Sequence, residues 1–229
     1  MRKLTSLSEF YKSDIGKGFA LKISQIISDD VDYKNANVLA LGFCEPILDI
    51  LYFKNLYCAI PNGYPQFHWP KIRPFKTVVV DERRMPFLPE SWDVVIIMHV
   101  AEFLHNNRNF LKEMSRILKK NGKLILVCIN KNNFNFLNKD TISVGGVVHN
   151  KSELIDQLSE EHFTVNNVAG ISEEFKFWPY NFSYGLNKLN ENFSEFSKIF
   201  ANLIIISASK EELSGIAAME NLDAQYDVT

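Results

Sequence analysis

Residues 77–130 constrain the chain more than any other stretch, because three apolar runs there leave little choice of fold. Thr77-Val78-Val79-Val80 stops at Asp81-Glu82, Val94-Val95-Ile96-Ile97-Met98 stops at His99, and Leu124-Ile125-Leu126-Val127-Cys128-Ile129 stops at Asn130. Between the second and third runs, Phe110, Leu111, Met114, Ile117 and Leu118 recur at helical spacing, with Asn121-Gly122 as the expected stop. Runs without a polar alternate face are strands buried on both sides, and a helix between them makes the pairing parallel. Ligands of open parallel sheets sit beyond the carboxyl ends of the strands. Asp81, Glu82, His99 and Asn130 all stand at such ends.

The same stretch carries a resemblance. Asp81-Glu82, Met85-Pro86-Phe87, Ser91-Trp92-Asp93-Val94-Val95 and His99-x-x-Glu102-Phe103, followed by Leu111-Lys112-Glu113 and Arg116-Ile117-Leu118, resemble the type 11 branch of the class I S-adenosylmethionine-dependent methyltransferases. What that resemblance implies is an α/β, Rossmann-like class I methyltransferase fold. Its seven-stranded sheet is mostly parallel, with helices on both faces and the last strand antiparallel. S-adenosyl-L-methionine is the implied cofactor. Gly42, Phe43, Asn62, Asp81, Glu82, Met98 and His99 are the implied cofactor-binding positions. Asp81 or Glu82 would accept from the adenine amino group, with the Met85 loop flanking the ring. The other reading of the acidic pair is a loop salt-bridged to Arg83 or Arg84.

Two positions depart from the family text. The first strand, Val38-Leu39-Ala40-Leu41-Gly42, runs into Phe43-Cys44-Glu45-Pro46 where the family places two further glycines. Those glycines permit close backbone approach to a ligand and positive φ. Pro46 can still open a helix at its first turn. The second strand, near Tyr57–Ile60, ends in Pro61-Asn62-Gly63 and lacks the usual ribose-binding acid. Asn62 can bond a hydroxyl or serve as a simple turn residue. Both departures weigh against a dinucleotide site, which needs G-x-G-x-x-G and an acid after the second strand. His68-Trp69-Pro70, in the proline-rich stretch 61–76, is similar to an uncharacterised alphaproteobacterial subgroup with the same degenerate glycine loop.

His99 is the candidate catalytic residue, since an imidazole at that strand end can act as a general base. The alternative is a packed histidine bonded to backbone. His99, Glu102 and His105 suggest a metal only superficially: positions six apart are rotated by about 600° on a helix and share no close face, so no metal is expected.

The remaining sequence sets the frame. With 229 residues and a 46% hydrophobic share, one ordinary domain can be filled. A net charge of -2 and a pI near 6.2 give no basic footprint for nucleic acid, and the runs Lys71-Ile72-Arg73, Arg83-Arg84 and Lys119-Lys120 suit a solvated face. Cys44, Cys58 and Cys128 lie in apolar contexts, as in reduced cytoplasmic proteins. No run reaches the ~20 apolar residues of a membrane span, and Met1–Leu4 lacks the apolar core of a signal peptide. We expect a single domain over 1–210 and a flexible tail over 211–229. The resemblance implies an N-terminal helical lid over residues 1–30, and Gly16 and Gly18 mark an expected break in it. Tyr11 would there be a lid contact or, as the residues favour, a core aromatic. Ser152 is the expected cap of a helix running to about Glu160. An aromatic insert over 172–200 bears Phe177, Trp178, Tyr180, Phe182 and Tyr184, which line an acceptor pocket, form a small second core, or make a homodimer face. The function expected is methylation of a small-molecule or lipid-like acceptor. The rivals are a catalytically inactive binding or scaffolding relative, and an enzyme of another class on the same fold.

Overall fold

A computed structural model of the full chain describes residues 7–62, 76–104, 107–131, 149–171 and 201–211. The elements are α1 (Leu7–Lys12), α2 (Asp14–Asp30), β1 (Asn37–Gly42), α3 (Glu45–Leu48), β2 (Asn55–Pro61), β3 (Thr77–Val80) and β4 (Trp92–Met98). A 3-10 turn (Ala101–Phe103) is followed by α4 (Asn107–Ile117), β5 (Leu118–Ile129), α5 (Lys151–Glu160), β6 (Phe163–Ile171) and β7 (Leu203–Lys210).

The seven strands form one sheet in the order β3-β2-β1-β4-β5-β7-β6. β3, β2, β1, β4 and β5 are parallel, while β7 runs antiparallel between β5 and β6. The sheet is therefore mixed, with its parallel part at the centre. Val38–Leu41, Val94–Met98 and Leu124–Cys128 are almost fully inaccessible, as β-branched strands covered on both faces must be. Each such side chain contributes about 1.5–3 kcal/mol on burial. The helices pack in two groups, α2 with α1 and α3, and α4 with α5. The strand order reverses direction between β1 and β4, which puts the carboxyl ends of β1, β2, β3 and β4 around one crevice.

At the opposite, amino edge, Asp93 ties three strand starts together. One oxygen accepts from the Asn37 amide at 2.9 Å and the other from Lys119 Nζ at 2.7 Å. Burial pushes this carboxyl up, and the two hydrogen bonds outweigh that, leaving it below the ordinary aspartate value. Asp93 thus organises the fold and faces away from the crevice.

Local chemistry moved three expected boundaries. The α1–α2 break falls at Ser13, whose hydroxyl accepts from the Gly16 amide at 3.1 Å as an N-cap. Gly16 lies inside α2, where a Cβ would stand 2.0 Å from the Phe10 carbonyl oxygen, so its role is to let α1 lie against α2. Asn121-Gly122 does not stop α4, which ends at Ile117. The pair forms an irregularity at the start of β5, with Asn121 at φ 59°. The cap of α5 is Asn150, two residues before Ser152, and Glu153 reaches back to the Asn150 amide at 3.5 Å. The 172–200 insert and the 212–229 tail lie outside the described residues, as does the His68-Trp69-Pro70 segment. No helix among the described residues is long and apolar enough to cross a membrane.

Candidate functional site

The crevice is built from three strand ends, and they differ in character. At the end of β1, Gly42 has φ 89°. A Cβ there would stand 2.4 Å from Val100 Cγ2 and 2.5 Å from the Met98 carbonyl oxygen. This glycine is required by the close approach of the chain after β4 as well as by its own backbone angle. Phe43 N–H then donates to the Met98 carbonyl at 2.9 Å, extending the β1–β4 pairing beyond its last register pair. Phe43 and Cys44 are buried, and the Cys44 thiol donates to the Leu41 carbonyl at 3.3 Å. Burial pushes that thiol up, so it is no nucleophile at neutral pH. Pro46 sits in the first turn of α3, where its missing N–H costs nothing. Gly42, Phe43, Cys44, Leu48 and Cys58 leave a cavity of only about 10 Å³ between them, the room of about one water.

The ends of β2 and β3 are open. Asn62 N–H donates to the Val80 carbonyl at 2.8 Å, which fixes the turn and leaves its amide side chain exposed. Asp81 is exposed, and its Oδ1 accepts from the Arg83 amide at 3.0 Å and from Arg83 Nε at 3.3 Å. Those bonds hold its carboxyl below the ordinary range, the backbone bond most strongly. Glu82 is half-buried. The loop that follows is clamped from α4. Arg116 donates to the Met85 carbonyl at 3.1 Å and to the Phe87 carbonyl at 2.9 Å, while Glu113 accepts from the Met85 amide at 2.8 Å. The Arg116 guanidinium holds the Glu113 carboxyl below its usual value. Beside this loop lies an open groove of about 440 Å³ bordered by Arg84, Pro86, Leu88 and Arg116.

The end of β4 is closed and polar. Met98 and His99 are completely buried, and His99 takes φ 57°, a backbone region that costs a non-glycine residue about 1–3 kcal/mol. His99 Nδ1 lies 2.9 Å from Glu102 Oε1, and Nε2 lies 2.9 Å from the Tyr11 hydroxyl. Glu102, itself fully buried, also accepts from the Ile129 amide at 2.8 Å, while its Oε2 has no protein partner. Because Glu102 Oε1 can only accept from His99 Nδ1–H, the tautomer that satisfies both contacts leaves Nε2 to accept from the Tyr11 hydroxyl. Tyr11 stacks on Phe43 at 5.7 Å and 29°. Burial first, then the nearby Glu102 and Cys44, raise its phenol well above the ordinary value. Asn130, at the end of β5, is used structurally: its side chain donates to the Ala201 carbonyl at 3.0 Å.

The structure thus brings His99, Met98, Gly42 and Phe43 into one packed cluster and sets Asn62, Asp81 and Glu82 on an open rim. From the sequence, Glu102 stands in the family-like string and in a metal reading that was set aside, and Tyr11 is a lid contact or a core aromatic. The spacing His99-x-x-Glu102, across one 3-10 turn, was the signal for that pair. Nothing signalled a contact between positions 11 and 99. His105 lies outside the described residues.

Residues 62–126 match a family model described as methyltransferase domain. An uncharacterized protein of Methanocaldococcus jannaschii is 32% identical over 62 residues, 27% of this chain and 30% of the relative. The chain thus spans about a third of the length of the curated relative it matches. Among solved structures, a SAM-dependent methyltransferase from Thermotoga maritima is 18% identical over 84% of this chain and 89% of its own, with a TM-score of 0.58. An S-adenosylmethionine-dependent methyltransferase from Mesorhizobium loti is 11% identical, with a TM-score of 0.53 over 85% of this chain and 100% of its own. The [4+2]-cyclase SpnF shares the fold as well, at 12% identity and a TM-score of 0.54 over 83% and 80% of the two chains. These likenesses show a fold shared with S-adenosylmethionine-dependent methyltransferases. A cyclase among them shows that the fold alone does not choose the reaction.

Proposed function

We propose that the chain is an S-adenosylmethionine-dependent methyltransferase, cytoplasmic, acting on a small-molecule or lipid-like acceptor. One observation carries this reading: the methyltransferase match over 62–126 contains the rim residues Asn62, Asp81 and Glu82 and the strand-end residues Met98 and His99. The donor set of the rim fits the adenosyl half of the cofactor. An amide and two carboxyl groups, unburied or half-buried, suit ribose hydroxyls and an exocyclic amine. The β1 end fits less generously, since Phe43, Cys44 and Tyr11 fill the space beside Gly42.

When bound, the cofactor supplies an electrophilic methyl group. The chain's own part is to hold the two reactants in line, which removes much of the barrier without covalent help. Asn62, Asp81 and Glu82 would hold the adenosyl end. The Arg116–Glu113 clamp keeps the Met85 loop in place beside them, and the buried surroundings of His99 exclude water.

A second reading, a catalytically inactive binding or scaffolding relative, is favoured by the filled space at the β1 end. Calorimetric titration with S-adenosylmethionine and S-adenosylhomocysteine separates the two. Micromolar binding, weakened roughly tenfold (about 1.4 kcal/mol) in Asp81→Ala, supports the enzyme reading. A folded protein that binds neither compound at millimolar concentration contradicts it.

A further inference from the structure

The β4 end has the parts of an activated base with its working nitrogen already occupied. Glu102 fixes the His99 tautomer through Nδ1 and is itself fixed by the Ile129 amide, the arrangement in which a third group orients a base. His99 takes φ 57°, and its Nε2 lies 2.9 Å from the Tyr11 hydroxyl. That hydroxyl arrives from α1, a six-residue helix joined to the rest through Ser13. Its ring lies flat on Phe43 and edge-on to Phe10 at 5.0 Å. A base, a stacking face and an aromatic wall surround one phenol.

Resting on the methyltransferase reading above, we infer that Tyr11 fills the acceptor's place, and that the acceptor is a flat hydroxyl compound of phenol type whose oxygen is methylated. The acceptor displaces the Tyr11 side chain, lays its ring on Phe43 and donates its O–H to His99 Nε2. The O–H bond breaks with its electron pair left on oxygen, and the proton moves to Nε2. The imidazolium so formed faces the Glu102 side chain, and the phenolate oxygen would take the methyl group as the S–CH3 bond breaks with its electron pair left on sulfur, so that S-adenosylhomocysteine leaves and His99 returns the proton to water. His99 is the catalytic residue and Glu102 a positioning residue acting through it. A phenol repeats the contact that Tyr11 makes there, one O–H donated to Nε2.

The test begins with the slot itself. In Tyr11→Ala, phenol should raise the melting temperature, bind about tenfold more tightly than toluene, and shift the ¹⁵N resonance of His99 Nε2. Equal binding of phenol and toluene to the folded variant, or binding of neither, overturns the inference. In the wild-type chain, the His99 ¹⁵N resonances should show a protonated Nδ1 and an accepting Nε2, and Glu102→Gln should disturb that pattern, which a merely structural carboxyl would leave intact. With S-adenosylmethionine present, the wild-type chain should methylate the oxygen of 4-methylphenol roughly tenfold faster than the nitrogen of 4-methylaniline. This arm needs no variant, so it stands even where Tyr11→Ala fails to fold. A chain that binds S-adenosylhomocysteine but prefers the aniline, or methylates neither compound, overturns the acceptor assignment alone. A chain that binds no S-adenosylhomocysteine overturns the methyltransferase reading, while the phenol and toluene titration still reports on the slot.

Discussion

The two halves of the carboxyl edge follow opposite designs. On the β2–β3 side, Asn62 and Asp81 are exposed and Glu82 is half-buried, with the turns fixed by the Asn62 amide on the Val80 carbonyl and the Arg84 amide on the Asp81 carbonyl. On the β4 side the polar groups are buried and bonded in a chain, Tyr11 to His99, His99 to Glu102 and Glu102 Oε1 to the Ile129 amide, with Glu102 Oε2 left without a protein partner. An exposed carboxylate interacts weakly with its neighbours and is cheap to keep available. A buried imidazole and carboxyl are costly to bury and persist only with their partners in place. The rim therefore suits recognition, where a ligand replaces water. The β4 cluster suits chemistry, where geometry must be fixed before the reactant arrives.

The largest effect should come from breaking the buried side. Glu102→Ala strips His99 Nδ1 and the Ile129 amide of their acceptor, and should cost about 3–5 kcal/mol in urea denaturation. A loss under about 1 kcal/mol would mean that the cluster is not held as a unit. Next comes Gly42→Ala, which adds a Cβ at φ 89° against Met98 and Val100. Strain and overpacking together should cost about 2–4 kcal/mol, and a neutral result would show that the β1–β4 junction is slack.

The rim is tested through its clamp. Glu113→Gln should lose about 1.5–3 kcal/mol, and the loss should depend on pH. Because the Arg116 guanidinium depresses the folded Glu113 value, the wild-type advantage is fully present above the ordinary glutamate pKa of about 4.3. It disappears as pH falls through the lower folded value. Denaturation of both proteins across pH 2.5–6, a window of about that span around the ordinary value, checks the sign: an advantage that grows on acidification would refute the assignment.

The smallest effect distinguishes the two sides most finely. Tyr11→Phe deletes one buried hydroxyl and should cost about 0.5–1.5 kcal/mol at neutral pH. The folded phenol is raised by burial, so the stability that Tyr11 brings is complete below about pH 10 and is lost as pH rises towards the folded value. The difference between wild type and Tyr11→Phe should shrink, then reverse, in alkaline titration. A difference that is flat with pH would place the hydroxyl in contact with water.

The sheet was legible because its strands are β-branched runs bounded by loop residues. Thr77–Val80 emerged with the boundaries its residues suggest. Boundaries set by contacts at a distance were not legible. Gly16 reads as a break, yet it is a small residue accommodating α1. Asn121-Gly122 reads as a helix stop, yet it bends the start of β5. The candidate site divided in the same way. His99 was visible from its place at a strand end, whereas Glu102 stood in the same string without being read as its partner. The hydroxyl of Tyr11 reaches His99 from 88 positions away, a pairing that only the folded chain creates.

The most direct measurement of the central claim is a two-dimensional ¹H–¹⁵N spectrum of the full chain titrated with S-adenosylhomocysteine. Shifts should concentrate on the amides of Asn62, Asp81, Glu82 and Met85, with smaller changes at Phe43 and His99. Absent shifts, or shifts clustered away from the carboxyl ends of β2, β3 and β4, would contradict that claim.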